Sequence, residues 1–292
     1  MRLGIHTSIA GSLERAALKA AELGANTFQI FSASPRMWRA SVPDPAAVER
    51  LRAARERFDL SPLAIHANYL VNLASLDPSI RARSIRAFRG ELERAIAIGA
   101  EFLVLHPGSY RGRSIEESTA AFAQALGEAS RDLHTGTLTL LLENTAGAGN
   151  QLGSRFEELR SLREAAGRHT CLSIGYCLDT CHLLAAGFPI ATAAGLRDTV
   201  RHADQVLRLS HVHLIHANDS RGALGSHLDR HSNIGEGRIG EAGFRRILTH
   251  PKLRRKAFIL ETPVDHAGDD RRNMDTLKAL AAGRPSTRRV TA

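Results

Sequence analysis

The chain is poor in cysteine, in lysine and in tryptophan, and it contains no long apolar run. Its three cysteines, Cys171, Cys177 and Cys181, lie close together in no CxxC spacing. That argues against a secreted disulfide framework, and they read as buried small hydrophobes on one strand and its loop. No stretch approaches the roughly 20 apolar residues that a membrane helix needs. The opening MRLGIHTSIAG places His6 where a signal peptide would have its apolar core, so a cytoplasmic protein with no membrane attachment is expected. No GxGxxG follows the first predicted strand, which argues against an open dinucleotide-binding sheet. Lysine occurs only at 19, 252, 256 and 278, so the net charge of +9 is an excess of arginine. A basic surface favours nucleic acid or another polyanion.

What is present is ordinary for a globular enzyme, 43% hydrophobic and 24% charged residues in 292. Short apolar runs alternate with helical periodicity. RLGIH (2–6) reads as a strand, and Ser12 caps a helix that ends near Gly24. TFQIF (27–31) is followed by a helix opened by Asp44-Pro45. PLAIH (62–66) precedes a helix from about 78 to 98, with Ile80, Ile85, Phe88, Leu92 and Ile96 as its apolar face. EFLVLH (101–106) precedes a capping box, Ser114 with Glu117. TLTLLLE (137–143), SIGYCLD (173–179), HVHLIH (211–216) and AFILE (257–261) complete eight strand–helix units. Eight consecutive units with short connections predict an α/β fold, a single closed (β/α)₈ TIM barrel over 1–282. The tail 283–292 reads as a disordered basic end. Glycines 222, 225, 235 and 237 predict a long flexible loop over 217–239, and loops of that length tend to be functional.

The strand ends are His6, Phe31, His66, His106, Glu143, Asp179, His216 and Glu261; seven of the eight are His, Asp or Glu. Only 14 His and 30 acidic residues occur in the chain, so chance would leave most of these positions filled by other types. In a barrel all eight ends converge on the face that carries active sites. Several imidazoles and carboxylates meeting there favour a metal centre of the zinc, manganese or iron type. Asp179 and His182 at i and i+3, and Asp229 and His231 at alternate positions, add donors.

With these residues in place the chain resembles the endonuclease IV family of apurinic/apyrimidinic DNA repair endonucleases, within the xylose isomerase-like barrels. The resemblance rests on HANYLVNL (66–73), LHPGSY (105–110), LENTAGAGNQLG (142–153), CLDTCHLLAAGF (177–188), HANDS (216–220), LDRHSNIGEGRIG (228–240) and ILETP (259–263). It implies three zinc ions, with manganese or iron possible in part. His66 and His106 with Glu143 would hold one ion. Asp179, His216 and Glu261, again with Glu143, would hold a second. His182, Asp229 and His231 would hold the third. Places exceed residues by one, which makes Glu143 the bridge. His6 falls outside the set and reads as supporting or structural.

The resemblance further implies a metal-dependent phosphodiesterase that cuts duplex DNA 5′ to an abasic site and leaves a 3′-hydroxyl. A 3′-end-cleaning activity in base excision repair goes with it. Glu143 and Glu261 are the candidate catalytic residues, with Glu261 orienting the nucleophile. Arg36, Tyr69 and Leu70 match the family's residues that enter the base stack, a basic group with apolar wedges. A monomer without an obligate protein partner is expected. Two rivals are a divalent-metal sugar isomerase on the same barrel and a non-catalytic binder of damaged DNA.

Overall fold

A computed structural model describes residues 1–38, 40–111 and 114–284. Barrel strands β1 (Arg2–His6), β2 (Thr27–Phe31), β3 (Leu63–His66), β4 (Phe102–Leu105), β5 (Thr139–Glu143), β6 (Ser173–Asp179) and β7 (Val212–His216) follow in order. Two short strands, β8 (Asp219–Ser220) and β9 (His231–Ser232), intervene before the last barrel strand, β10 (Ala257–Leu260). Every neighbouring barrel pair is parallel, and β1 closes on β10 with Leu3 opposite Phe258. The helices are α1 (Leu13–Glu22), α2 (Pro45–Arg57), α3 (Pro78–Ile98), α4 (Ile115–Ser130), α5 (Phe156–Ala166), α6 (Thr180–Ala185), α7 (Ala193–Leu207), α8 (Gly240–Thr249) and α9 (Asp269–Ala281). The predicted (β/α)₈ barrel is therefore present. Most of the tail read as disordered, 285–292, lies outside the described residues.

Local signals set the element ends. The Ser12 hydroxyl accepts from Arg15 N, and the Asp77 carboxylate accepts from Ser79 N and Ile80 N at the start of α3. Gly99 ends α3 in the left-handed region at φ 72°, where a side chain would be strained. The Ser114–Glu117 capping box forms as expected, whereas the Asp44 side chain makes no cap bond.

Strand alternation then builds two cores. One lies between the barrel and the helices. The other fills the barrel interior with Ala64, Val104, Leu141, Cys177, Leu214, Ala257 and Ile259. Successive strand residues face opposite ways, so positions two further along point inward again. Those positions are His66, His106, Glu143, Asp179, His216 and Glu261. The pleat that packs the barrel interior thus aims six donor residues into its mouth.

Three expectations need correcting. The buried stripe of α3 is wider than the predicted one: Phe88 and Leu92 are buried and Ile85 and Ile96 pack half-buried against the core as expected, but Ile80 does not join them and Glu91 and Arg94 are buried besides. The two pair at 3.0 Å, with Ser32 Oγ donating to Glu91 Oε2 at 2.6 Å and accepting from Arg94 Nε at 2.8 Å. Periodicity of apolar residues could not reveal that polar triad. The 217–239 segment is organised rather than loose. Buried Asp219 accepts from the backbone N–H groups of Ser220, Gly235, Gly237, Ile239 and Gly240 at 2.8 to 3.2 Å. A Cβ at Gly237 would lie 2.4 Å from Asp219 Oδ1, so only glycine permits that approach. Finally, the short helix α6 directly after β6 was not expected; Asp179 caps it and it carries His182.

Removing one member of a buried ion pair leaves the other charge unpaired. Glu91→Ala should therefore destabilise the fold by about 3–5 kcal/mol, whereas Glu91→Leu with Arg94→Met should cost far less. Urea midpoints of the two variants check this; equal losses would contradict it.

Candidate metal centre

Glu143 has no exposed surface, and four imidazoles face its carboxylate. His66 Nε2 and His106 Nε2 lie 3.2 and 3.1 Å from Oε2. His216 Nδ1 and His182 Nδ1 lie 3.0 and 3.4 Å from Oε1. His216 Nδ1 is also 3.2 Å from Glu261 Oε2. Towards the outside, His182 Nε2 and His231 Nε2 approach Asp229 Oδ1 at 3.2 and 3.6 Å.

In three of these rings a backbone carbonyl fixes the tautomer. His66 Nδ1 lies 2.8 Å from Ala67 O, His182 Nδ1 2.9 Å from Asn144 O, and His231 Nδ1 3.0 Å from Glu261 O. A carbonyl can only accept, so each of these nitrogens carries the proton. In a neutral ring the opposite nitrogen is then a bare lone pair. Bare nitrogens facing carboxylate oxygens at 3.2 to 3.6 Å are acceptor against acceptor. Such a cluster requires positive charge between its members, either protons or cations. His231 Nε2 is buried with no hydrogen-bond partner at all, as an orphaned ligand atom would be. Imidazole and carboxylate oxygen together are a zinc-type donor set, so the residues fit a metal centre.

Donor atoms within 4.8 Å of one another group as His66–His106–Glu143, as Glu143–Asp179–His216–Glu261, and as His182–Asp229–His231. All nine predicted ligand residues are in these sets, and Glu143 is in two. A further set adds Cys181 to Asp179 and His231. Burial, and then Asp179, push that thiol up to about 12, and its Sγ donates to Arg230 O, so it stays a poor ligand. Burial drives His6 down to about 4 against the pull of Glu261, which keeps it neutral beside the centre.

Two residues that sequence reasoning missed hold the donors in place. Asn218 Nδ2 donates to Asp179 Oδ2 at 2.6 Å, and its Oδ1 accepts from Glu261 N at 2.7 Å. Gln29 bonds Glu261 and His216. Each carboxamide is far in sequence from its partners; Gln29 stands out only as polar between Phe28 and Ile30, and Asn218 lies within a polar run, HANDS.

The centre opens into a cleft of about 1160 Å³ that Phe31, Pro35, Tyr69 and Val264 also line. Tyr69 is 65% exposed, with its ring centre 5.3 Å from Phe31 and 5.8 Å from His66. Arg36 is exposed on the adjacent loop and Leu70 is half-buried. Buried Asn68 ties the loops together: Nδ2 donates to Met37 O, and Oδ1 accepts from Leu70 N at 2.7 Å. Exposed Met37 and Val264 were not singled out, since a lone apolar loop residue ordinarily reads as packing. A second cavity of about 660 Å³, near Cys171, contains no comparable donor set among the described residues.

Residues 17–282 match the xylose isomerase-like TIM barrel family. A probable endonuclease 4 of Solibacter usitatus is 70% identical over 284 residues, covering 97% of this chain and 98% of that protein. The chain belongs to the endonuclease IV family. A probable endonuclease 4 of Methanoculleus marisnigri is 41% identical over 96% of this chain and 98% of that protein. Among solved structures, endonuclease IV from Thermus thermophilus superposes with a TM-score of 0.85 at 37% identity, covering 97% of this chain and all of that one. A D-tagatose 3-epimerase-like protein, at 20% identity and a TM-score of 0.69, shares the fold.

The charge balance of this endonuclease IV-type centre has a pH consequence. Burial opposes protonation of His66, His182 and His216, but neighbouring groups outweigh it: Glu143 at His66, Asp179 and Asp229 at His182, Cys177 and Glu261 at His216. All three imidazole pKa values are raised. The carboxylates move the other way. Burial pushes Glu261 and Asp229 up, yet His216 and His182 respectively bring each down to about 2. In the metal-free protein these shifts favour the protonated form of His66, His182 and His216 and the ionised form of Glu261 and Asp229. Loading with zinc at pH 7 should expel protons, and affinity should fall as pH is lowered. Calorimetry in buffers of different ionisation enthalpy measures this; a heat independent of buffer would contradict it.

Proposed function

We propose that this chain, a metal-dependent nuclease by its family, is a zinc enzyme that hydrolyses the phosphodiester 5′ to abasic sites in duplex DNA and leaves a 3′-hydroxyl. Removal of 3′-blocking groups during base excision repair is part of the same reading. So are cytoplasmic location, action as a monomer, and a single catalytic unit over 1–282. The observation that carries it is the partition of nine donors into three sets, two of which share Glu143.

In this reading His66 and His106 with Glu143 hold one zinc ion. Glu143, Asp179, His216 and Glu261 hold a second, and His182, Asp229 and His231 hold the third. Manganese or iron could replace zinc at part of the centre. Bound ions of this kind lower the pKa of water and stabilise charge on a phosphodiester and its leaving oxygen. Four carboxylates among these donors leave three divalent ions net positive, which suits the more negative transition state.

The protein's own part is placement. Glu143 fixes the spacing of two sets from the barrel floor. Glu261 stands at the cleft, 18% exposed, where it can orient the attacking water. Tyr69 and Leu70 with Arg36 probe the duplex; an abasic gap lowers the cost of unstacking there, so damage selects itself. Aldose isomerisation would leave exposed Tyr69 and Arg36 without a task.

Chelation should abolish nicking of an abasic duplex, and zinc should restore it. Glu143→Gln should lose two ions at once, read by metal analysis of the folded protein; retention of all three would rule out the bridge. Tyr69→Ala should keep its metals and lose about 10- to 100-fold in kcat/KM on abasic DNA, equal to ~1–3 kcal/mol of stacking. Turnover of an aldose panel, with no nicking by the metal-loaded protein, would overturn the reading.

A further inference from the structure

Seven barrel strands end on a His, Asp or Glu at the mouth, and β2 does not. Its last residue is Phe31, and two positions earlier, on the same inward side, is Gln29. A glutamine with no exposed surface, flanked by Phe28 and Ile30, needs partners for both ends of its carboxamide. Gln29 Nε2 lies 2.6 Å from Glu261 Oε1 and 3.1 Å from His6 Nδ1. Gln29 Oε1 lies 2.9 Å from His216 Nε2.

These contacts form a chain in which each bond dictates the next. The Glu261 carboxylate only accepts, so the amide end beside it must be the NH₂ group. The opposite end is then the carbonyl, and it requires a proton on His216 Nε2. A neutral His216 with its proton there has its lone pair on Nδ1, which faces Glu143 Oε1 at 3.0 Å and Glu261 Oε2 at 3.2 Å. The second N–H of the amide turns to His6 Nδ1, the acceptor nitrogen of a neutral ring. One side chain thus selects the His216 tautomer and the Glu261 rotamer together. Both residues belong to the four-donor set, and Gln29 touches no donor of the other two sets outside Glu143's neighbourhood.

We propose that Gln29 is a positioning residue for one ion only, the ion of the Glu143–Asp179–His216–Glu261 set, and that it acts by fixing the His216 tautomer and the Glu261 carboxylate. The proposal rests on the metal reading above and extends it to a residue that is itself no ligand. Groups that orient metal ligands typically contribute 10- to 100-fold in affinity. Asn218 cannot substitute, because it reaches Asp179 and Glu261 but not His216.

Two near-isosteric variants test this. Gln29→Met removes both hydrogen-bonding ends, and Gln29→Glu keeps an acceptor for His216 while placing a second carboxylate against Glu261. Thr27→Val, on the same strand, removes a bond to Pro62 O and touches no donor, so it serves as the fold control. Each full-length protein is titrated with zinc against a chelating dye, and separately with cobalt, whose visible spectrum reports donor geometry. In both Gln29 variants one ion of three should bind about 10- to 100-fold more weakly, with altered cobalt bands, while two remain as in the parent. Thr27→Val should bind like the parent.

Parent-like affinity for all ions in both Gln29 variants overturns the proposal. So does a proportional loss of every ion that Thr27→Val shares, or failure of both variants to fold while Thr27→Val folds, since either gives Gln29 a role in the barrel instead. If the parent protein takes up no ion, the metal reading falls and this inference with it; if the parent takes up three and the variants match it, this inference alone falls.

Discussion

Everything at the mouth of the barrel depends on a carboxylate with no access to water. Glu143 is buried, and charge in such a place persists only where opposite charge or hydrogen-bond donors surround it. Four imidazoles do so, and the outer nitrogens of two are committed elsewhere: His66 Nδ1 to Ala67 O and His216 Nε2 to the amide of Gln29. That commitment turns lone pairs inward. The centre is therefore built to be short of positive charge, and the sharing of Glu143 between donor sets follows from its position at the middle of the shortage.

Much of this was legible because two independent patterns coincide at the strand ends. An apolar run marks a strand buried on both faces, and a His or carboxylate at its end marks where the run meets the mouth. Alternation did the rest: Ala64 to His66, Val104 to His106 and Leu141 to Glu143 are each one inward step. Asp229 and His231 were legible through their own spacing. What escaped were polar residues whose meaning lies in distant partners. Gln29 reads as an oddity within TFQIF until Glu261, far along the chain, is brought beside it. Glu91 and Arg94 lie outside the apolar pattern of α3, and their burial has a reason only once Ser32 is placed against them. A window of sequence carries periodicity, but it does not carry the identity of a neighbour on another element.

Carboxamides recur as the connectors. Asn72 bonds both the carbonyl and the N–H of Ser109 at 3.1 Å, which joins the β3 and β4 loops. Asn144 bonds Asp179 N at 2.7 Å and Asp179 O at 3.3 Å, which joins the ends of β5 and β6. Asn218 and Gln29 do the same for the donors themselves. The group suits the task because it offers donor and acceptor from one uncharged end. It can bind a carboxylate on one side and a backbone N–H or ring N–H on the other without adding charge to a site whose balance is already tight.

Residues 235–240 read GEGRIG, the glycine spacing with which a turn receives a nucleotide phosphate. In this chain the anion is internal. The backbone donors of Gly235, Gly237 and Gly240 are taken by Asp219, so no external phosphate has room there. The same carboxylate shapes the segment that presents Asp229 and His231. The conformation of that segment answers both to an anion carried within it and to the barrel, where Ala217 N donates to Ile259 O and His231 Nδ1 lies 3.0 Å from Glu261 O. The outermost donor set is accordingly held from two sides, Asp229 and His231 by this segment and His182 by the helix that Asp179 caps at the end of β6.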